Sequence, residues 1–282
     1  FHFNFLDLYP FNLFFKLLES SVFKVDRIWE TDLMCKASNS VHPPDLSNTN
    51  PPIGNLICFN KQSNHLKDKR NLNKRIFYLP PTPNYKNWVS FLKNNYKSLI
   101  NKELKKHNQK QNQKIITIIL GGFEHFRYLQ NSKSVINCLK DLLKTLKNLN
   151  INYPIFIKPH VISDRNTYLN LLASIPNNKI IVTHLHPGIL AMASKVFISN
   201  YFSYTLSTAN LLSVPTIEYS EYNKRTLNLT KGGSMYPEYV DFYINKDKNK
   251  LKKTLINCLN KKSKKIVTLS PESQLLNKII NT

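Results

Sequence analysis

Residues that can bind phosphate follow a series of apolar segments in the second half of this chain. They are, in chain order, Gly121, Gly122, Lys158, His160, His184, His186, Ser199, Ser203, Thr205 and Glu218. Lysine offers a cation, imidazole and hydroxyl groups offer hydrogen bonds, and glycine lets the backbone approach an anion closely. A carboxylate at the end of such a series can accept hydrogen bonds from the two hydroxyls of a ribose. These residue types predict a site for a phosphorylated nucleoside, provided that the fold collects them.

Each of these residues also has a structural explanation. Gly121 and Gly122 suit a tight strand-to-helix turn as well as they suit an anion. Lys158 could be an ordinary surface lysine, and Ser203 could be the N-cap of a following helix. Glu218 could form a salt bridge. The residue types alone leave both explanations open.

The two histidines of His184-Leu185-His186 are spaced like a pair of metal ligands. Two histidines alone make a poor metal site, and no nearby Asp, Glu or Cys completes a set of three or four ligands. We therefore predict no metal. A histidine that starts the helix at Gly188 and donates to a phosphate or ribose is favoured over metal binding, and a structural role in that turn stays open.

Two other kinds of site lack their sequence motifs. No Gly-x-Gly-x-x-Gly segment is present, which argues against a dinucleotide fold of the dehydrogenase kind. No Gly-x-Ser-x-Gly elbow surrounds Ser199 or Ser203, which argues against a hydrolase nucleophile.

Short apolar strands alternate with amphipathic helices from residue 115 onward. The predicted strands are 115–120, 155–157, 180–183, 196–199, 216–219 and 239–244, and the predicted helices are 132–149, 167–174, 188–194, 203–212 and 250–259. This alternation predicts an α/β fold with a Rossmann-like, doubly wound parallel sheet covered on both faces. In such a sheet, ligands bind beyond the carboxyl ends of the strands. All the candidate residues follow strand ends, so we expect one cleft to collect them.

The order of these motifs resembles bacterial GT-B glycosyltransferases of surface and capsule polysaccharide synthesis. The resemblance is carried by Lys158-Pro159-His160, by His186-Pro187, by residues 196–199 with Ser203, and by residues 209–219. It is nearest to the capsule sialyl- and Kdo-transferase types and to CDP-glycerol glycerophosphotransferases, and it covers the C-terminal half of the chain.

The resemblance implies an enzyme that transfers a sugar or sugar-like group from a nucleotide-activated donor to a surface polysaccharide or a lipid-linked acceptor. It assigns Lys158, His160, His186, Ser199, Ser203 and Thr205 to the donor phosphates and Glu218 to the ribose. It leaves open whether His160 or His186 is the functional histidine, and it leaves the catalytic base unassigned. The nucleotide sugar is a substrate, so no cofactor is expected.

The resemblance also gives the predicted domains their roles. Residues 1–110 would be a partial, acceptor-side N-terminal domain and linker, with helices at 11–23 and 88–104 and strands at 56–59 and 75–79. Residues 111–265 would be the nucleotide-sugar-binding domain, and residues 266–282 a C-terminal helix that starts at Ser270-Pro271-Glu272. The chain opens with Phe1 inside an apolar segment, so we expect the first domain to be truncated.

Two alternatives from other classes stay open. One is an enzyme like the UDP-sugar 2-epimerases, although their Asp-Ser-Gly-Gly signature is missing. The other is a non-catalytic remnant that binds a nucleotide without turnover.

The chain is strongly basic, with 40 Lys and Arg against 17 Asp and Glu and a formal net charge of +23. The excess is mostly lysine scattered along the whole chain, without zinc-ligand spacing or an aromatic RNA-binding signature. We therefore predict no nucleic-acid partner. A solvated surface and peripheral contact with an anionic membrane stay open as explanations of the charge.

Cysteine use and the first segment indicate the compartment. The four cysteines form no Cys-x-x-Cys pair, which favours a reducing environment. Residues 1–23 are apolar but interrupted by charges and proline, which favours neither a membrane span nor a signal peptide; an interfacial amphipathic segment is the alternative. We expect a cytoplasmic protein that can contact the inner face of the cytoplasmic membrane.

Overall fold

The computed structural model describes residues 26–29, 55–58, 76–78, 86–121, 129–131, 133–160, 165–175, 179–203, 205–237 and 239–260. Two compact units divide the chain: Phe1–Lys86 with Leu269–Thr282, and Asn87–Thr268. In the first unit, strands β1 (Asp26–Trp29), β2 (Asn55–Cys58) and β3 (Ile76–Tyr78) form a parallel sheet in the order β1-β2-β3. The helices predicted at 11–23 and 266–282, together with Gly122, lie outside the described residues.

The second unit contains a parallel sheet of six strands. They are β4 (Ile115–Ile119), β5 (Ile155–Lys158), β6 (Ile180–Val182), β7 (Ser194–Ser199), β8 (Thr216–Ser220) and β9 (Phe242–Asn245). Its described helices are α1 (Lys86–Lys106), α2 (Ser134–Asn148), α3 (Arg165–Ala173), α4 (Pro187–Ala193), α5 (Thr205–Leu211), α6 (Lys224–Leu229) and α7 (Lys248–Asn260).

The strand order in this sheet is β6-β5-β4-β7-β8-β9. The chain therefore starts in the middle, winds outward through β5 and β6, returns to the centre, and winds outward again through β8 and β9. This order confirms the predicted Rossmann-like, doubly wound fold. It also creates a switch point between β4 and β7, where the two halves of the sheet diverge and where ligands bind in folds of this type.

Both faces of the sheet are covered. On one face, α2 and α7 bury Leu139, Leu142 and Leu251 against isoleucines that include Ile118 and Ile198. On the other face, α4 and α5 lie against the two central strands and each other. Every residue of β4 is buried, which explains its unbroken run of apolar and β-branched residues.

Helix α1 belongs to the second unit. Its Val89, Leu92 and Leu104 are completely buried, and Leu92 lies against the backbone of Gly188 at the start of α4. The contacts therefore divide the chain at Lys86, whereas the sequence prediction places the boundary at residue 110. The polar run after α1, which we interpreted as a linker between domains, lies inside this unit.

Two local differences from the predicted elements have clear causes. Residues 239–241, predicted as the start of the last strand, form a turn, because the Thr216 hydroxyl donates to the carbonyl of Tyr239 and the Thr216 N–H donates to the carboxylate of Asp241. Helix α6 had not been predicted. Its N-cap is Asn223, whose side chain accepts from the Thr226 N–H at 2.8 Å.

Within the described residues, no helix combines the length and apolar character needed to cross a bilayer.

Replacing Leu142 with alanine tests the core between α2 and the sheet. Leu142 is 0% exposed, so the change leaves a cavity and should lower the free energy of unfolding by about 3 kcal/mol, measured by urea denaturation. Lys144→Ala, on the exposed side of the same helix, is the control and should change it by less than about 0.5 kcal/mol. Equal effects of both changes would contradict this packing.

Candidate functional site

The carboxyl ends of four neighbouring strands lie in register at one edge of the sheet. Ile119 of β4 is paired with Lys158 of β5 on one side and with Ser199 of β7 on the other, and Ser199 is paired with Glu218 of β8. Register partners point to the same face of a sheet. The fold therefore brings Lys158, Ser199 and Glu218 into one row, on the face that carries α4 and α5.

Asn200 occupies the switch point between β4 and β7. Its Oδ1 accepts from the Gly121 N–H at 3.0 Å, and its Nδ2 donates to the Val135 carbonyl at 3.1 Å. The residue is 0% exposed, so these bonds are made in a low-dielectric environment where they are strong. One side chain thus fixes the exit of β4, the exit of β7 and the first turn of α2.

Gly121 is required by packing at this point. A Cβ atom added to it would lie 2.4 Å from the Cβ of Tyr201, which no real contact allows. The structural explanation of Gly121 therefore has direct support. Its contact with a phosphate stays a prediction.

The hydroxyls after β7 are engaged with backbone groups. The buried Ser199 hydroxyl donates to the Tyr201 carbonyl and accepts from the Tyr201 N–H. Ser203 accepts from the Thr205 N–H at 3.2 Å, as an N-cap of α5 would. Ser199 shapes the turn, while Ser203 and Thr205 are only partly buried at its end. Their roles toward a phosphate stay predictions.

His186 is the N-cap of α4 and has a defined tautomer. Its Nδ1 accepts from the Gly188 N–H at 3.0 Å, so the neutral ring carries its proton on Nε2. Partial burial, and then the charge of Lys158, lower the pKa of His186 below its usual value. The edge of Trp88 meets the ring at a centroid distance of 5.0 Å. The arrangement favours a neutral imidazole with an Nε2–H donor.

Lys158 is half-buried at the end of β5, and this burial lowers the pKa of its ammonium group. Its effect on the pKa of His186 places the two groups in one electrostatic environment. Burial of the Lys158 ammonium group is unfavourable when no acid lies beside it. An anion that binds nearby offsets this cost. His160 and His184 are both exposed. His186 has a defined orientation as the N-cap of α4, and the choice between His160 and His186 stays a prediction.

Glu218 is 0% exposed and surrounded by hydroxyl donors. Ser220 donates to its carboxylate at 2.9 Å, and Tyr222 and Ser234 each donate at 2.5 Å. Burial raises the pKa of Glu218, and the three hydrogen bonds oppose that shift without cancelling it. The contact of Glu218 with a ribose stays a prediction. The enclosed position of the carboxylate does not support it.

Sequence reasoning did not single out several residues that shape this edge. Asn200 directly follows Ser199, which was predicted as a site residue. An amide side chain directly after a predicted strand was the sequence feature that could have identified it. Trp88 and Ser234 are distant in sequence from His186 and Glu218, and Tyr222, four residues after Glu218, lies in no motif that singles it out. In the part of the chain that the structure describes, no three His, Cys, Asp or Glu side chains form a group that could hold a metal ion.

Solved structures with similar folds include three named proteins. The UDP-GlcNAc 2-epimerase from Neisseria meningitidis, bound to UDP-GlcNAc, matches with a TM-score of 0.50 and 11% identity over 88% of this chain and 67% of that one. The wall teichoic acid polymerase TagF matches with a TM-score of 0.46 and 14% identity over 84% and 62%. The GtfA/B complex matches with a TM-score of 0.42 and 8% identity over 90% and 49%.

These likenesses concern the fold alone, an α/β Rossmann-like sheet with helices on both faces. The chain spans about half to two thirds of the length of these structures. No protein-family profile and no curated protein sequence matches the chain.

Replacing Asn200 with aspartate tests the switch point. The carboxylate can still accept from the Gly121 N–H, but it cannot donate to the Val135 carbonyl and places a buried charge beside it. We expect a loss of about 3 kcal/mol in the free energy of unfolding at pH 8, measured by urea denaturation. Asn137→Asp, exposed on α2, is the matched control and should change it by less than about 0.5 kcal/mol.

Glu218 makes stability depend on pH. Because its folded-state pKa is raised, the folded chain holds the proton more tightly than the unfolded chain, and stability is lost as pH rises above the ordinary glutamate value. Relative to the parent, Glu218→Gln should therefore gain stability between pH 5 and pH 8, by at most about 1.4 kcal/mol per pH unit. Chemical denaturation at four pH values measures this, and parallel curves for both proteins would contradict it.

Proposed function

We propose that this chain is the nucleotide-sugar-binding part of a glycosyltransferase with the GT-B fold. It would transfer a sugar or sugar-like group from a nucleotide-activated donor to a surface polysaccharide or a lipid-linked acceptor. The observation that carries this proposal is geometric: half-buried Lys158 lies in register with the strand ends at the carboxyl edge of a doubly wound sheet, and His186 caps the helix α4 on the face of that sheet.

The chemistry of the pair suits the departing nucleotide. When the bond to the sugar breaks, negative charge builds up on the terminal phosphate of the nucleotide. The Lys158 ammonium can stabilise that charge directly, and the Nε2–H of His186 can donate a hydrogen bond to it. Because these groups can supply the stabilisation, the proposed reaction uses no metal and no cofactor.

The folds of the similar structures support the ligand class. The Neisseria meningitidis epimerase was solved with UDP-GlcNAc bound, and TagF is a polymerase of wall teichoic acid. A nucleotide sugar is therefore the proposed donor. The resemblance to capsule transferases of the sialyl- and Kdo-transferase types suggests a polysaccharide as acceptor. We further propose a cytoplasmic location with peripheral contact between the basic surface and an anionic membrane.

An epimerase is the second candidate function, favoured by the likeness to the Neisseria meningitidis enzyme. The two reactions differ in their requirement for an acceptor. An epimerase converts a UDP-sugar in the absence of any other substrate, whereas a transferase releases the nucleotide only as an acceptor is glycosylated. Incubating the protein with UDP-sugars alone therefore separates the two candidates.

A nucleotide screen tests the proposed site. We expect at least one of CMP, CDP, UDP and GDP to raise the melting temperature; a ligand at one hundred times its Kd adds about 2.7 kcal/mol to stability. His186→Asn should abolish this rise, because asparagine can still cap α4 but lacks the imidazole donor. His184→Asn is the matched control, since His184 lies two residues earlier and is not the N-cap of α4. Equal shifts in the parent and the His186→Asn variant would show that the site is elsewhere.

A further inference from the structure

A pocket lies at the edge of the large sheet opposite to Lys158 and Ser199. It has a volume of about 250 Å³ and is enclosed by the second half of α1, the segment before β4 and the last residue of α4. Lys114 and Ala193 line it and directly precede β4 and β7, whose first residues Ile115 and Ser194 are register partners. The pocket is therefore at the amino-terminal edge, away from Lys158 and His186.

The walls of this pocket are fixed by polar contacts. The side chain of Asn101 on α1 donates to the side chain of Asn112 at 2.8 Å and accepts from the Asn112 N–H at 2.9 Å. Asn112 has a φ of 55°, a conformation that asparagine tolerates better than most residues. Gln113 donates to the Lys110 carbonyl at 2.6 Å. The segment is thus attached to α1, and the pocket does not have to form when a ligand binds.

The charges in the pocket are of one sign. Lys97 and Lys114 line it, and none of the described lining residues is Asp or Glu. Burial, and then the charge of Lys195, lower the pKa of Lys114. Lys114 donates to the Met192 carbonyl at 3.2 Å, which uses one of its three N–H groups. Lys97 has no hydrogen bond or ion pair with any described residue.

The remaining lining residues provide an apolar floor and neutral polar groups. Ile100 and Ala193 are buried and Tyr96 is half-buried, and together they form the apolar part of the lining. Within the described residues, the Nδ2 of Asn112 and the Oε1 of Gln113 make no hydrogen bond. A ring with hydroxyl groups can pack on such a floor and bond to such amides, while its anionic group meets the lysines.

The size of the pocket limits the ligand. Sites for drug-sized molecules have volumes of roughly 300–1,000 Å³. A pocket of about 250 Å³ is just below that range and corresponds to one monosaccharide, and its open side faces solvent. We propose that it is a second binding site, specific for a monosaccharide that carries an anionic group, either a phosphate or a carboxylate. This inference goes beyond the proposed transfer reaction and does not depend on it.

Isothermal titration calorimetry with four probes tests the proposal. The full chain is titrated with glucose 6-phosphate, glucuronate, glucose and inorganic phosphate. We expect glucose 6-phosphate or glucuronate to bind at least tenfold more tightly than glucose and inorganic phosphate, because only these carry both the ring and the charge. Which of the two binds more tightly identifies the anionic group. Binding of inorganic phosphate as tight as that of both anionic sugars would overturn the assignment, and so would no binding of either sugar.

Charge reversal locates the site. Lys97→Glu should weaken binding of the anionic sugar at least tenfold, whereas Lys102→Glu, an exposed lysine of α1 that does not line the pocket, should change it less than twofold. Gln113→Glu places a carboxylate in the lining and should also weaken binding. Equal effects of the Lys97 and Lys102 changes would overturn the proposal.

A competition experiment separates this site from the proposed nucleotide site. Saturating CMP, CDP, UDP or GDP should leave the affinity for the anionic sugar unchanged, and His186→Asn should leave it unchanged as well. Displacement of the sugar by a nucleotide would show that both bind in one place and would overturn the second site. Loss of nucleotide binding alone would contradict only the proposed transfer function.

Discussion

The hydrogen bonds of Asn200 are the constraint on which this edge of the domain depends. In a doubly wound sheet, the two central strands leave the core toward opposite sides, and the backbone groups between them lose their ladder partners. Here one buried amide satisfies the Gly121 N–H after β4 and also bonds to the Val135 carbonyl in the first turn of α2. The close contact between Gly121 and Tyr201 follows from this arrangement. The exits of both strands are therefore fixed before any ligand binds.

The ionisable groups at this edge differ in whether a neighbouring group neutralises or hydrogen-bonds them. Glu218, the acid in the row of strand ends, is enclosed by three hydroxyls, and Glu221 is paired with Lys246 at 2.6 Å. Lys158 and His186 have no such neutralising contact among the described residues. A half-buried cation beside a neutral donor destabilises the protein in the absence of a ligand. A bound anion removes this cost because it neutralises the charge. The edge is thus arranged for negative charge.

Much of the fold could be predicted from the sequence, and less of the site. The apolar runs of β4, β5 and β7 are buried on both faces, so their composition identified them directly. Glu218 shows why side chains are harder. Glu218 does lie in a strand, as predicted, but its enclosure depends on Tyr222, four residues later, and on Ser234, beyond α6, and no motif links either to Glu218. The packing of α1 on α4 depends likewise on Trp88 and Leu92, far away in sequence.

The contact between Trp88 and His186 has an optical consequence. The ring of Trp88 lies 5.0 Å, centroid to centroid, from the imidazole. A protonated imidazole quenches the fluorescence of an adjacent indole, whereas a neutral one does so weakly. An anion near His186 favours the protonated ring, so its arrival would dim the emission of Trp88. The protein therefore carries an intrinsic reporter of occupancy that needs no label.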